Sequence, residues 1–281
     1  MFNKKRLVAI LTGTLLVGSL VGCSAGGSSN SGSASSDSSK ITISGSTSVG
    51  PTMEILAEDY QKANKGTTIE VQQVGSSAGI TNTIDGTSQI GMSSRDLKDE
   101  EKSELKEYQI AIDGIAVITN SANKVKDLTL DQVKDIYTGK ITNWKEVGGN
   151  DADIVVVSRE DGSGTRDGFQ EIVGFESGDL TSNAQISDGS GNIKTTVQGN
   201  ENAIGYISFG YLDDSINSVK IGGVEPKEEN VYNKKYPISR PFLLVTKGDA
   251  TGDAKSFIDY VLSDEGQKTI EKEGFMSVNQ K

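Results

Sequence analysis

Apolar residues follow two different periods along the chain, and the two periods predict strands and helices in alternation. The segment 67–75 (TTIEVQQVG) alternates between apolar and polar residues, as a strand does. In 52–64 (TMEILAEDYQKAN), four apolar residues recur at the spacing of one helical face: Met53, Leu56, Ala57 and Tyr60. Strands that alternate with helices predict an α/β fold with largely parallel sheets.

The same two patterns continue towards the C-terminus. Segments 152–160 (ADIVVVSRE) and 240–248 (RPFLLVTKG) predict buried strands, and 110–120 (IAIDGIAVITN) is an apolar run interrupted by Asp113 and Gly114. Two further helices are predicted by apolar faces, formed by Leu130, Val133, Ile136 and Tyr137 and by Phe257, Ile258, Val261 and Leu262. The charged segment 98–107 (KDEEKSELKE) predicts a solvated helix or turn.

Loops of small polar residues occur where predicted strands meet predicted helices, at 45–48 (GSTS), 75–77 (GSS), 91–95 (GMSSR) and 162–165 (GSGT). Helix starts expose unpaired backbone N–H groups, glycine lets a ligand approach them, and hydroxyls add donors. Each loop alone is explained by helix capping. Four such loops together favour an anion site. The runs DGSGT (161–165) and DGSGN (188–192) are also alike, although so short a match carries little weight.

Three arginines are candidates for contacting an anion, because a guanidinium binds tetrahedral oxyanions with two parallel hydrogen bonds. Arg159 lies directly before the fourth loop, and we expect Asp161 to orient it; a plain salt bridge to Asp161 or Glu160 is the alternative. Arg95 and Arg166 adjoin the third and fourth loops and could point towards the anion or away from it.

Composition excludes several classes of function. The sequence contains no histidine, which removes histidine-based acid–base catalysis, histidine metal sites and the Ser-His-Asp triad. Its net charge of −11 makes nucleic acid an unsuitable partner. Ser163 invites comparison with a nucleophile elbow, but the first glycine of that motif is missing. We therefore expect a binding protein without a metal or cofactor, and keep an anchored serine hydrolase as the weaker alternative.

The N-terminus has the features of an export signal. Three basic residues (Lys4, Lys5 and Arg6) precede an apolar run, which is followed by LVGC with Cys23 as the only cysteine. This arrangement resembles a bacterial lipobox and predicts a signal peptide over 1–22 with a lipid on Cys23; a plain signal peptide is the alternative. Residues 23–39 are rich in serine and glycine and predict a lipidated tether. The folded part would be extracytoplasmic and anchored to the cell membrane.

The ordered set of motifs resembles the extracytoplasmic phosphate-binding lipoproteins of ABC-type phosphate importers. The motifs are SGSTSVGP, GSSAGI, IGMSSRDL, DIYTGKITNW, SREDGSGTRDGF and NAIGY. The resemblance implies a two-lobed type II periplasmic-binding-protein fold, each lobe a mostly parallel sheet flanked by helices. Its lobes would be 40–114 plus 241–281 and 115–240, joined by crossings at 112–120 and 239–247. Phosphate would be enclosed by hinge closure and delivered to ABC permease subunits with their ATPase.

The resemblance also implies a phosphate site. Its residues in this sequence would be Thr47, Ser48, Ser76, Arg159, Ser163, Gly164 and Thr165, with Asp161 orienting Arg159. Related proteins place an aspartate that accepts the phosphate proton in the third loop, where this sequence has Ser94. The acceptor is then Ser94, Asp96 or Asp113. Ser94 and Arg95 are counted with the phosphate-binding residues, and Arg95 and Arg166 are positive charges that the related proteins lack. A different oxyanion, such as sulfate or molybdate, stays an alternative ligand, as does a signalling or adhesion role without a small ligand.

Overall fold

A computed structural model of the chain describes residues 39–279. Cys23, the predicted signal peptide and nearly all of the predicted tether therefore lie outside the described residues. The strands are β1 (Ser39–Gly45), β2 (Thr67–Gln73), β3 (Ile90–Ser93), β4 (Leu105–Asn120), β5 (Asp127–Leu128), β6 (Val155–Arg159), β7 (Gln185–Ser187), β8 (Ala203–Ser208), β9 (Ile216–Ser218), β10 (Lys220–Ile221), β11 (Ser239–Lys247) and β12 (Met276–Ser277).

Helices follow most of the strands, as the alternation of periods predicts. They are α1 (Gly50–Ala63), α2 (Ser76–Ile84), α3 (Asp99–Lys102), α4 (Leu130–Tyr137), α5 (Gly164–Val173), α6 (Ser190–Gln198), α7 (Glu228–Tyr232), α8 (Gly252–Leu262) and α9 (Asp264–Lys272), with 3₁₀ turns at Trp144–Val147, Ser177–Asp179 and Phe209–Tyr211. Within the described part of the chain, no helix is long and apolar enough to cross a membrane.

The main sheet consists of two parallel halves joined by antiparallel strands. Its order is β2-β1-β3-β11-β4-β8-β6-β7. The strands β1, β2 and β3 pair in parallel, as do β6, β7 and β8, whereas β11 and β4 pair antiparallel to each other and to their outer neighbours. We call residues 39–104 and 248–279, which precede β4 and follow β11, the first half, and residues 121–238, which lie between these strands, the second half. The α/β fold class predicted from the sequence is confirmed.

The long strand β4 connects the two halves. It pairs with β11 up to Gly114 and with β8 from Ile115 onwards. The predicted lobe boundary at 114/115 falls at this change of partner. Each half has its own apolar core, centred on buried residues such as Ile43, Leu56 and Phe257 in the first half and Val157, Phe169 and Tyr206 in the second.

Local sequence explains where the helices that matter for the site begin and end. Ser163 caps α5 by accepting a hydrogen bond from the Arg166 amide, and Gly174 ends this helix with a left-handed φ of 84°. In the charged segment 98–107, α3 and the turn that follows it agree with the prediction of a helix or turn, whereas residues 105–107 belong to β4, because Leu105 pairs with Lys247 of β11. Strand pairing has overridden the helical preference of these charged residues.

Candidate functional site

Four helix N-termini, two from each half, meet at the carboxyl ends of the parallel strands. The halves are in direct contact there, because Ser48 Oγ lies 2.9 Å from Thr165 Oγ1 and the Ser77 amide donates to the Gly162 carbonyl at 3.1 Å. Between them lies a small, tightly closed cavity that leaves no room for a water molecule in this arrangement. It is lined by Ser46, Thr47, Gly75, Ser76, Ser94, Arg159, Ser163, Gly164 and Thr165.

Three loops of the first half supply hydroxyl groups to this cavity. Ser76 Oγ lies 3.2 Å from Ser94 Oγ and accepts a hydrogen bond from the Ser94 amide at 3.1 Å. Thr47 adds its hydroxyl from the loop before α1, and this loop is turned by Ser46 Oγ, which accepts from the Ser48 amide at 3.1 Å. The helix starts supply backbone donors and a positive dipole end, so the cavity offers mainly hydrogen-bond donors.

Gly164 allows the two halves to approach each other this closely. A Cβ atom at this position would lie 2.3 Å from Ser76 Oγ and 2.8 Å from Ser94 Oγ, well inside van der Waals contact. The Gly164 backbone is thereby brought against both serines of the first half. Only glycine permits this approach without displacing the opposite loops.

Among the described residues that line the cavity, Arg159 is the only charged one, and it is 1% exposed. Its guanidinium donates to Thr47 Oγ1 at 3.0 Å and to Ser190 Oγ at 3.2 Å. Glu160 holds it with two hydrogen bonds of 2.6 and 2.7 Å. Partial burial raises the pKa of Glu160, but these bonds and the Arg159 charge outweigh burial, so the net pKa lies below its usual value. Glu160 is thus a carboxylate that orients the cavity arginine.

The expectation that Asp161 orients Arg159 is wrong. Asp161 is almost fully exposed and accepts a hydrogen bond from Arg166 Nη1 at 2.6 Å. The same Arg166 atom donates to the Arg159 carbonyl at 3.2 Å, which braces the loop before α5 from outside the cavity. Glu160 takes the expected role because the strand ends at Arg159 and the chain turns at 161–162, which carries Asp161 outwards to Arg166.

Arg95 does not line the cavity, contrary to its placement among the anion-binding residues. Its guanidinium is occupied by Glu101, at 2.8 and 2.9 Å, and by Asp167, at 3.0 Å. Its neighbour Asp96 is exposed and contributes its carbonyl to Arg95, so the Asp96 carboxylate is turned away from the cavity. Two acidic residues thus draw the Arg95 side chain to the opposite face of the third loop.

Asp113 is not a free acceptor either, because its carboxylate is already engaged. It is fully buried and forms an ion pair with Arg240, with Oδ2 accepting at 2.9 and 3.1 Å. The other oxygen accepts from Ser208 Oγ and the Phe209 amide. Burial raises the pKa of Asp113, and the Arg240 charge opposes this shift. Ser94 alone of the three candidate proton acceptors lines the cavity.

Sequence reasoning missed several residues at the cavity or next to it. Ser190, at the start of α6, lies 3.1 Å from Ser48 Oγ, and Tyr211 donates to the Thr47 carbonyl at 2.8 Å. Arg240 donates to Ser48 Oγ at 3.2 Å. The likeness of DGSGN to DGSGT was the available signal for Ser190, whereas no local pattern marks Tyr211 or Arg240. Among the residues that the structure describes, no cluster of acidic, histidine or cysteine side chains is arranged to hold a metal.

Comparison with known proteins agrees with this architecture. The PBP superfamily domain model matches residues 29–265. The phosphate-binding protein PstS of Bacillus subtilis is 38% identical over 234 residues, which cover 82% of this chain and 77% of the relative. PstS of Borreliella burgdorferi is 30% identical over 250 residues, covering 85% of this chain and 90% of the relative.

Two solved structures share the same fold. A substrate-binding protein from Clostridium perfringens, crystallised with bound phosphate, is 64% identical with a TM-score of 0.84, covering 85% of this chain and all of that one. An ABC-type phosphate transport receptor from Vibrio cholerae is 39% identical with a TM-score of 0.74 and covers 85% of this chain and all of its own. The chain belongs to the PBP superfamily and, within it, to the PstS family of phosphate-binding proteins.

Proposed function

We propose that this chain is an extracytoplasmic receptor that binds inorganic phosphate and delivers it to an ABC importer. The observation that carries the proposal is the convergence of hydroxyls, backbone amides and Arg159 from both halves on one small cavity. The cavity is tightly closed in this arrangement, and its lining of hydrogen-bond donors suits a small anion that enters when the halves separate. The bound phosphate of the Clostridium perfringens relative supports this assignment.

In this proposal, Arg159 and the helix N-termini hold the phosphate oxygens. Thr47, Ser48, Ser76, Ser163, Gly164 and Thr165 contribute hydroxyl or amide donors, and Glu160 keeps the Arg159 guanidinium in place. The two halves act as the lobes predicted from the sequence, and they close on the anion by bending at β4 and β11. The importer would recognise the closed form, since binding energy can shift the equilibrium towards it.

We also propose that the receptor is exported and anchored by a lipid. The basic head, the apolar run and Cys23 support cleavage of a signal peptide and acylation of that cysteine. The serine- and glycine-rich segment 24–39 would then give the folded domain free reach from the membrane to the importer. Mass spectrometry of the protein from membranes tests this: the expected mature N-terminus is diacylated Cys23, and an unmodified Cys23 would contradict it.

The chain is a binding protein and not an enzyme.

A second oxyanion is the one alternative ligand that a specific observation favours. Among the described residues that line the cavity there is no aspartate or glutamate. A carboxylate acceptor would reject sulfate by charge repulsion, and a hydroxyl such as that of Ser94 imposes a smaller penalty. Sulfate is thus a reasonable competitor for this site.

Titration calorimetry of the purified protein with phosphate, sulfate and molybdate tests the proposed function. We expect one phosphate per chain to bind with a clear heat signal, and sulfate to bind more weakly. The absence of phosphate binding under conditions where the protein is folded would contradict the proposal. Tighter binding of sulfate or molybdate would assign the receptor to that anion instead.

A further inference from the structure

A second buried guanidinium lies directly behind the cavity. Arg240 on β11 is 4% exposed, and its Nη2 donates to Ser48 Oγ at 3.2 Å. Its Nη1 donates to the Ser94 carbonyl at 3.0 Å. One side chain of the joining strand therefore reaches both the first and the third loop of the site, although Arg240 does not itself line the cavity.

Asp113 holds Arg240 in this position. The two residues are directly paired in the register of β11 against β4, and Asp113 Oδ2 accepts from both Nε and Nη2 of Arg240. The other carboxylate oxygen accepts from Ser208 Oγ at 2.9 Å and from the Phe209 amide at 3.2 Å. Because Asp113 neutralises the Arg240 charge, Arg240 acts on the cavity through its hydrogen bonds rather than through a net positive field.

Counting donors and acceptors shows what Arg240 does to Ser48. A guanidinium can only donate, so Ser48 Oγ must accept from Arg240 and keeps its single hydrogen for another partner. The available partners are Thr165 Oγ1 at 2.9 Å, which lines the cavity, and Ser190 Oγ at 3.1 Å. Arg159 acts on Thr47 and Ser190 in the same way from the other side.

We propose that Arg240, held by Asp113, is a positioning residue: it fixes the Ser48 hydroxyl as a hydrogen-bond donor to Thr165, so that the Thr165 hydroxyl keeps its own hydrogen for the anion. This inference rests on the proposed binding of phosphate. Without Arg240, the Ser48 hydroxyl could rotate and accept from Thr165, and Thr165 would then present a lone pair to the cavity. Arg159 acts in the same way on Thr47, whose hydroxyl also lines the cavity.

The test is a double-mutant cycle between Arg240→Lys and Ser48→Ala, with phosphate affinity measured by calorimetry. Lysine keeps a positive charge beside Asp113, so no buried carboxylate is left unpaired, but it lacks the fork that reaches both loops. We expect Arg240→Lys to weaken phosphate binding about tenfold in the natural background, and less than about twofold in the Ser48→Ala background. An equal loss in both backgrounds, or no loss, would overturn the proposal.

A matched control separates positioning from general damage to the core. Tyr236→Phe removes another buried hydrogen bond near the joining strands, which Tyr236 Oη donates to the Ile115 carbonyl at 2.9 Å rather than to Ser48. Its effect on affinity should be small and additive with Ser48→Ala. If Arg240→Lys does not fold, the pair Asp113→Asn with Arg240→Gln removes both charges together and must show the same dependence on Ser48.

The outcomes also distinguish this inference from the proposed function. If the natural protein binds phosphate and Arg240→Lys binds it equally well, only the role of Arg240 is wrong. If the natural protein does not bind phosphate, both the function and the role built on it are wrong.

Discussion

Asp167 provides a test of closure that does not touch the ligand cavity. Arg95 of the first half donates from Nε to Asp167 Oδ2 of α5, in the second half, at 3.0 Å. The Arg95 side chain is 5% exposed and the Asp167 side chain 32%. Glu101, in the same half as Arg95, holds that guanidinium with two further bonds, so Arg95 is already oriented before the halves meet. Opening the cleft must break the pair with Asp167, while Arg95 and Glu101 stay together.

The size of the effect follows from the exposure of the pair. Exposed ion pairs contribute about 0.2–1 kcal/mol, and this pair belongs at the upper end because Arg95 is buried and fixed. Losing about 1 kcal/mol of closed-state stability weakens the apparent affinity for phosphate about fivefold. Asp167→Asn should therefore raise Kd about threefold to fivefold, mainly through faster release, since the contacts to the anion are unchanged.

The assay is calorimetry for Kd together with stopped-flow measurement of phosphate release. Asp151→Asn is the matched control: this aspartate pairs with Lys145 at 3.0 Å, both exposed and close in sequence within the second half. The control should bind and release phosphate like the natural protein. Closure through this pair would be refuted if Asp167→Asn released phosphate at the natural rate, or if Asp151→Asn had the same effect.

Three further changes have expected outcomes of different kinds. Gly164→Ala should weaken phosphate binding by about a hundredfold or more in calorimetry, because its Cβ would lie 2.3 Å from Ser76 Oγ when the halves close. Trp144→Ala should lower the free energy of unfolding by about 3–5 kcal/mol in urea denaturation, because this indole is 1% exposed. The Glu160 carboxylate should stabilise the protein above its ordinary pKa of 4.5 and lose that contribution as pH falls through its lower folded-state pKa. Between about pH 6 and pH 3, the free energy of unfolding should therefore fall less for Glu160→Gln than for the natural protein.

Each of these expectations has a result that contradicts it. Natural affinity in Gly164→Ala would mean that the halves do not close as described; Gly168→Ala in the same helix, where the nearest atom is 3.6 Å from the new Cβ, is the control. A loss below about 1 kcal/mol in Trp144→Ala would mean that the indole is not a core residue. If the free energy of unfolding of Glu160→Gln fell with pH as it does in the natural protein, the Glu160–Arg159 pair would not contribute to stability as described.

The sequence was most informative where chemistry depends on local backbone. The loops at 45–48, 75–77 and 162–165 were recognisable because glycine, serine and threonine at a strand-to-helix junction leave exposed amides. These loops do line one cavity, together with Ser94 from the loop after β3. The periodicity also found α1, β2 and β6 beside these loops, whereas β4 begins at Leu105, within the charged segment for which a helix or turn was expected.

The partners of the arginines could not be predicted, since they depend on side-chain direction and on strand register. Glu160 and Asp161 are neighbours, yet one orients Arg159 and the other pairs with Arg166 outside the cavity. Arg240 and Asp113 are distant in sequence and meet only through the register of β11 against β4. No local motif encodes that register, which is set by the packing of both strands.

The central claim is that both halves of the fold present donors to one anion, and a crystal structure of the protein grown with phosphate tests it most directly. We expect a single phosphate with oxygens within about 3.2 Å of the Arg159 guanidinium, the Thr47 and Ser76 hydroxyls, and the backbone amides at the start of α5. Phosphate bound elsewhere, or touching only one half of the closed protein, would contradict the account.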